Sequence, residues 1–311
     1  MNLSPSNNLN LFGYNEFFLN LKNLHDKNLL PNKIIFSGTS GIGKSTFVYH
    51  LINYIFSKNE DNKYNFKNNK ISEDNYSYKL LAQNCHPNLF IITNDDEKNS
   101  GQVSKVREMI NFTNKSSFNN EFKIVLIDNV ELLNINSINA LLKIVEEPNS
   151  KLYFFLIHNN SVKILDTLNS RCIKFRMFLQ NSEKLEIINN LLNNNFYSEL
   201  NADFKTMYNS PGEILKLYNF FKEQNINDSI SIEEFINLII EKNLFKKSLF
   251  IKKNLGAFIE LYFQKKINFY KSKDKFYNLY KYFIFKINEC NKYNLDIESI
   301  LIEFEGKIIN G

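Results

Sequence analysis

Lys33-Ile34-Ile35-Phe36-Ser37-Gly38-Thr39-Ser40-Gly41-Ile42-Gly43-Lys44-Ser45 is the stretch on which the fold turns. Its first five residues read as a short apolar strand, and its last eight fit G-x-x-x-x-G-K-[ST] at every fixed position. In that pattern the glycines let successive backbone N–H groups turn inward around a polyphosphate. A helix opening at Lys44 adds its positive dipole end to the same cradle. Lys44 is placed to reach the β- and γ-phosphates, and the Ser45 hydroxyl to hold Mg²⁺. The strand before the loop and the amphipathic helix after it, to about residue 57, supply the context the motif needs. A glycine turn without a ligand, or a vestigial loop, is the plainer alternative.

Working outward, strands and helices alternate. Leu89-Phe90-Ile91-Ile92-Thr93 reads as a second buried strand, entered through His86-Pro87. A helix starts near Gln102, with Val103, Val106, Met109 and Ile110 at helical spacing. Lys123-Ile124-Val125-Leu126-Ile127-Asp128 is a third strand ending on a carboxylate. A helix from about Ser137 is stopped by Pro148, residues 152–157 form a fourth strand, and residues 172–176 a fifth. Continuous apolar strands separated by helices predict a parallel sheet covered on both faces. Residues 58–77 are polar with few apolar anchors and read as an exposed, mobile insertion.

Beyond about Phe178 the pattern is helical only. Leu185, Ile188, Leu191 and Leu192 mark one helix, and Ser231-Ile232-Glu233-Glu234 is a capping-box signature opening another. The expected plan is an α/β P-loop domain over 1–178, a small helical lid over 179–224 and an all-helical domain over 225–311.

Asp128 is the natural second half of the loop's site, since a carboxylate ending a neighbouring parallel strand can bind Mg²⁺ or orient its waters. A strand-end Asp that merely caps a turn is the alternative. Many P-loop ATPases place Glu directly after this Asp to polarise water. Here Asn129 follows, which cannot act as a base, and Glu131 is at the wrong offset. Nucleotide binding is therefore better supported than hydrolysis.

The bulk properties exclude more than they assign. At 311 residues the chain is long enough for two or three domains, and 43% hydrophobic with 23% charged residues is ordinary for a globular protein. Asn, Lys, Ile, Phe and Tyr, all with AT-rich codons, dominate, so the net charge of +5 is weak evidence for nucleic-acid binding. Cys85, Cys172 and Cys290 are widely spaced without a C-x-x-C pair, which supports neither a disulfide framework nor zinc. No basic amino-terminal end precedes a long apolar run, so a cytoplasmic protein outside the membrane is expected.

Several blocks occur in order: Phe12-Gly13-Tyr14-Asn15, the loop, Cys85-His86-Pro87-Asn88-Leu89, residues 102–107, Val125-Leu126-Ile127-Asp128, Asn139-Ala140-Leu141-Leu142-Lys143-Ile144-Val145-Glu146-Glu147-Pro148, and Ser170-Arg171-Cys172. The run N-A-L-L-K-x-x-E-E-P followed about twenty residues later by S-R-C resembles the clamp-loader branch of the AAA+ ATPases. The likeness covers residues 10–178 well, the next forty loosely, and the rest by position and helical character. It implies a five-membered ring that loads a sliding clamp onto primer-template DNA, with ATP sites between neighbouring subunits. It also implies that the last domain is a collar holding the ring together. Arg171 would then be an arginine finger supplied in trans, a guanidinium stabilising charge on a transferred phosphoryl group. Read without the flanking blocks, Arg171 is equally a surface ion-pair residue.

Three departures narrow the expectation. The four-cysteine zinc module of related subunits is reduced here to Cys85, so no zinc is expected. Ser210-Pro211-Gly212-Glu213 lacks the arginine that senses the γ-phosphate, and Asn129 replaces the catalytic base. Together they imply a stator-like subunit that holds ATP and Mg²⁺, turns over little itself and lends Arg171 to a neighbour. The rivals are an ATP-hydrolysing motor subunit of the same ring, a small-molecule P-loop kinase, and an adaptor with a dead loop. Lys265, Lys266, Lys271, Lys273 and Lys275, interleaved with Phe269, Tyr270, Phe276 and Tyr277, read as core anchors beside solvated lysines rather than a stacking platform for DNA.

Overall fold

A computed structural model describes residues 4–93, 99–146, 151–192, 195–208, 210–267, 273–293 and 295–309. The chain divides into two units: residues up to Asn190 together with Ser210–Gly212, and the remaining described residues.

In the first unit the apolar runs become five parallel strands: β1 (Lys33–Ser37), β2 (Leu89–Ile92), β3 (Lys123–Ile127), β4 (Leu152–His158) and β5 (Ile173–Arg176), ordered β2-β3-β4-β1-β5. Every residue of β3 and β4 is buried, and side chains alternate between faces, so both faces are covered as expected. β2 departs from the reading as a buried strand. It pairs with β3 alone, and its first three residues are only half-buried, as befits an edge.

The first unit's helices are α1 (Asn15–Asp26), α2 (Lys44–Phe56), α3 (Tyr76–Ala82), α4 (Asn99–Asn114), α5 (Ile135–Glu146), α6 (Asp166–Asn169) and all but the last two residues of α7 (Asn181–Leu192). Ten of the thirteen residues of α2 are buried, more than an amphipathic stripe provides, so the helix that carries the loop is a core helix. Val106 and Met109 of α4 pack in one cluster with Leu141 and Val145 of α5. Glu147 and Pro148 lie outside the described residues, as do the side chains of Gln102 and Val103.

The insertion at 58–77 is largely exposed, as its composition suggests, but a few buried residues anchor it. Tyr64 and Ile71 are buried, and Tyr64 and Phe66 pack against Phe18 of α1. Asn75 is buried because its side-chain oxygen accepts from Asn53 (2.9 Å) and from the Tyr78 N–H (2.6 Å), which caps α3. Polar residues satisfied in this way carry no hydrophobic signal, although their partners fix them.

The second unit contains α8 (Phe196–Glu199), α9 (Ala202–Met207), α11 (Ile232–Glu241), α12 (Leu244–Lys247), α13 (Leu249–Lys266), α14 (Lys273–Tyr293) and α15 (Glu298–Phe304). α10 (Pro211–Glu223) contributes all but its first two residues. The capping box opening α11 is present in both directions. Phe204, Phe221, Phe235 and Phe258 form one aromatic core, with neighbouring pairs meeting mostly edge-on. Lys265 pairs with Asp203 (2.7 Å), Lys266 with Glu233 (2.8 Å), and Phe276 is buried. Phe269, Tyr270 and Lys271 lie outside the described residues. Among the described residues no helix is long and apolar enough to cross a membrane.

Candidate nucleotide site and arginine finger

β4 lies between the loop strand β1 and the carboxylate strand β3, so the carboxyl ends of three adjacent strands converge on one crevice. Ligands of open parallel sheets bind at such ends. Gly38 leaves β1 with its N–H on the His158 carbonyl (3.1 Å). Gly41 (φ 77°) and Gly43 (φ 89°) are left-handed, a conformation that places loop N–H groups inward and favours glycine. Ser45 Oγ donates to Asp128 Oδ2 at 3.2 Å, which joins the two halves of the site read from the sequence.

Lys44 is buried. Its Nζ donates to the carbonyls of Gly38 (2.9 Å) and Thr39 (2.6 Å). Burial pulls this ammonium down to about 8, opposed by the charges of Asp128 and Glu131. Burial likewise pushes the Asp128 carboxyl above its ordinary range, against the Ser45 hydrogen bond and Lys44. A buried lysine lining a glycine loop suits a polyphosphate. A hydroxyl beside a desolvated carboxylate suits a hard cation such as Mg²⁺. The donor set therefore fits Mg·ATP, and Lys44 must loosen its hold on the loop to grip it.

Two further groups tie the loop. The Tyr14 hydroxyl donates to the Ile42 carbonyl at 3.0 Å, from a residue at φ 61°. The Gly212 N–H donates to the Gly41 carbonyl at 2.8 Å. A Cβ at Gly212 would stand 2.9 Å from both the Cα and the carbonyl oxygen of Gly41. No side chain fits there without moving the loop, which gives a physical reason for the missing sensing arginine.

Sequence reasoning passed over Asn159 and set Glu131 aside for its offset. Asn159 follows β4 directly and its side-chain amide donates to the Asn129 side-chain oxygen. Glu131 Oε1 accepts from the Asn159 N–H (3.1 Å) and from Ser161 (3.4 Å), while Oε2 is buried without a partner among the described residues. Position at the carboxyl end of the strand between β1 and β3 was the available signal for Asn159.

Arg171 is not gathered with these groups. It follows α6, with its side chain 38% exposed, and its guanidinium lies on Glu146 and Thr167. Nε and Nη2 approach Glu146 Oε1 at 2.9 and 2.8 Å, and Nη1 donates to the Thr167 carbonyl at 2.9 Å. Lys143 and Glu146 point outward on α5 as expected, whereas the grip of Glu146 on Arg171 was not foreseen.

The strand order, glycine loop and strand-end carboxylate define a P-loop domain of the AAA+ class. A family described as "DNA polymerase III, delta subunit" matches residues 13–181, more than half of the chain, and the chain belongs to that family. Within it the sequence is delta'-like. The DNA polymerase III subunit delta' of Buchnera aphidicola subsp. Schizaphis graminum is 28% identical over 223 residues, 64% of this chain and 65% of that protein. The subunit delta' of Buchnera aphidicola subsp. Baizongia pistaciae is 38% identical over 108 residues, 33% of this chain and 32% of that one. The matched segments thus span less than two thirds of these relatives. A solved gamma-subunit-related protein of Thermotoga maritima aligns over 91% of this chain and 96% of its own at 14% identity and a TM-score of 0.48.

Proposed function

We propose that this chain is a stator-like clamp-loader subunit of the DNA polymerase III holoenzyme, of the delta' type, working in the cytoplasm. It joins other clamp-loader subunits in a five-membered ring. Through that assembly it helps place the sliding clamp on primer-template DNA during replication. Its working residue is Arg171, lent to a neighbour's ATP site. Its own loop, Gly38, Thr39, Ser40, Gly41, Ile42, Gly43, Lys44 and Ser45 with Asp128, holds ATP and Mg²⁺ with little or no turnover. Ser45 and Asp128 would hold Mg²⁺, which would supply neutralisation of phosphate charge. The working boundaries remain 1–178 for the AAA+ domain, 179–224 for the lid and 225–311 for the collar.

The observation that carries this reading is the contrast at the two ends of the chemistry. Asn129, where a base would stand, is an amide tied to Asn159, while Arg171 is a half-exposed guanidinium that touches nothing of the chain's own loop. The test is assembly. Mixed with the gamma/tau-type and delta subunits of its own organism, the chain is expected to elute with them as one species. Separate elution at micromolar concentration overturns the proposal.

One observation favours the alternative, an ATP-hydrolysing gamma/tau-type motor subunit of the same clamp loader. Glu131 bears electrostatically on both Lys44 and Asp128, and one of its oxygens is buried without a partner among the described residues. Under that reading Glu131 replaces the missing base, and Glu131→Gln abolishes a measurable ATPase of the chain.

A further inference from the structure

A guanidinium presents five N–H groups on a rigid planar fork. In Arg171 the side formed by Nε and Nη2 lies on Glu146 Oε1, and Nη1 donates to the Thr167 carbonyl four residues earlier. These contacts use Nε and one N–H of Nη1, with Nη2 beside the same carboxylate oxygen. At least one N–H on each Nη is left over for the distal edge, the edge of the fork that can grip a phosphate bidentately. No other described residue bonds the Arg171 side chain.

The place of Glu146 needs an explanation beyond helix stability. It is the last described residue of α5, where a carboxylate opposes the negative end of the helix dipole. Its side chain is 51% exposed, so it fills no core position. Its one recorded engagement is with Arg171.

We infer that Glu146 is the positioning residue of the finger. With the Thr167 carbonyl it presets the guanidinium so that the distal edge faces outward, ready for the γ-phosphoryl oxygens of ATP on the adjoining subunit. This rests on the reading of Arg171 as a finger. Arg171 keeps its flanking bonds when it meets phosphate, so no internal bond is exchanged in the process. Long, flexible side chains reach such geometry slowly and rarely unless something holds them.

The experiment is steady-state ATP hydrolysis by the reconstituted ring, with clamp and primed DNA, comparing Glu146→Ala, Glu146→Gln, Glu146→Lys and Arg171→Ala. Glu146→Ala is expected to lower kcat about tenfold with KM for ATP unchanged, a loss typical of misplaced catalytic groups. Glu146→Gln, whose amide oxygen still accepts an N–H, should lose only about threefold, and Glu146→Lys at least as much as alanine. The melting temperature of the isolated chain should not move. If the alanine variant melts early, the glutamine and lysine variants carry the comparison. Wild-type kcat in the Glu146 variants, faster turnover, or an effect confined to KM overturns the inference while a dead Arg171→Ala ring leaves the finger standing. An active Arg171→Ala ring removes the finger itself, and the inference falls with it.

Discussion

Around the phosphate loop the polar groups are already engaged with one another. Lys44 lies on two carbonyls of its own loop, Tyr14 holds Ile42, Gly212 holds Gly41, and Ser45 donates to Asp128. Arg171, in the same unit, is held by Glu146 and the Thr167 carbonyl, is 38% exposed and keeps at least one N–H on each Nη unengaged. A nucleotide entering the loop must exchange existing bonds for new ones, and it meets a buried lysine pulled down to about 8. A phosphate meeting Arg171 exchanges none. The difference assigns the two regions different work: the loop retains, the finger acts.

On the isolated chain, the largest effect that tests this contrast is on binding. Lys44→Ala removes the cation from the buried loop and should weaken Mg·ATP binding to the isolated chain by about 100-fold or more, as loss of a charge-assisted bond does. Titration calorimetry reads it. Equal affinity in the variant would mean that the loop does not grip phosphate, and the comparison would lose one side.

A smaller effect separates the loop's buried scaffold from the exposed finger by pH. His50 sits on α2, the helix that carries the loop, and is fully buried. The Asn8 carbonyl can only accept, so Nε2 donates to it (3.0 Å) and Nδ1 accepts from the Tyr64 hydroxyl (2.9 Å). His86 stacks on Phe56 of the same helix, and its Nδ1 accepts from the Asn88 N–H. Burial pulls both imidazoles down to about 4, with the Asn8 carbonyl pulling His50 the other way. Folded values below the unfolded value mean that the unfolded chain binds the extra protons, so stability is lost as pH falls from 6.5 toward 4. Each histidine should remove about 2 kcal/mol between pH 6.5 and 4.5. Urea unfolding at the two pH values measures it, and His50→Gln should cut the loss by about half. A stability independent of pH would show that these rings are not held neutral in the buried surroundings of α2.

What the sequence made legible was local. The loop, its strand and helix, Asp128 and the capping box at Ser231 are each set by residues a few positions apart, so pattern alone finds them. The parallel sheet followed from apolar runs too continuous to be one-faced. What stayed hidden depends on distant partners. Gly212 is silent until Gly41 is seen 2.9 Å from the position of its absent Cβ. Asn159 means little until β4 is placed between β1 and β3. Glu146 looked like one more solvated charge until Arg171 came to rest on it. In the largely exposed 58–77 segment the anchors stayed hidden for the same reason, since Asn75 is buried by pairing with Asn53 rather than by its own hydrophobicity.

The most direct measurement of the central claim compares two rings that differ from wild type by one residue each in this chain. ATP hydrolysis in the presence of clamp and primed DNA is followed with Arg171→Ala in one and Lys44→Ala in the other. The finger should dominate: Arg171→Ala is expected to cut the turnover that depends on this chain by about 1,000-fold, the scale of a lost arginine finger. Lys44→Ala should leave turnover within about twofold of wild type, since a substitution that spares transition-state contacts leaves kcat unchanged. The reverse pattern, with a silent Arg171→Ala and a crippled Lys44→Ala ring, would contradict the account and make this chain a motor rather than a stator.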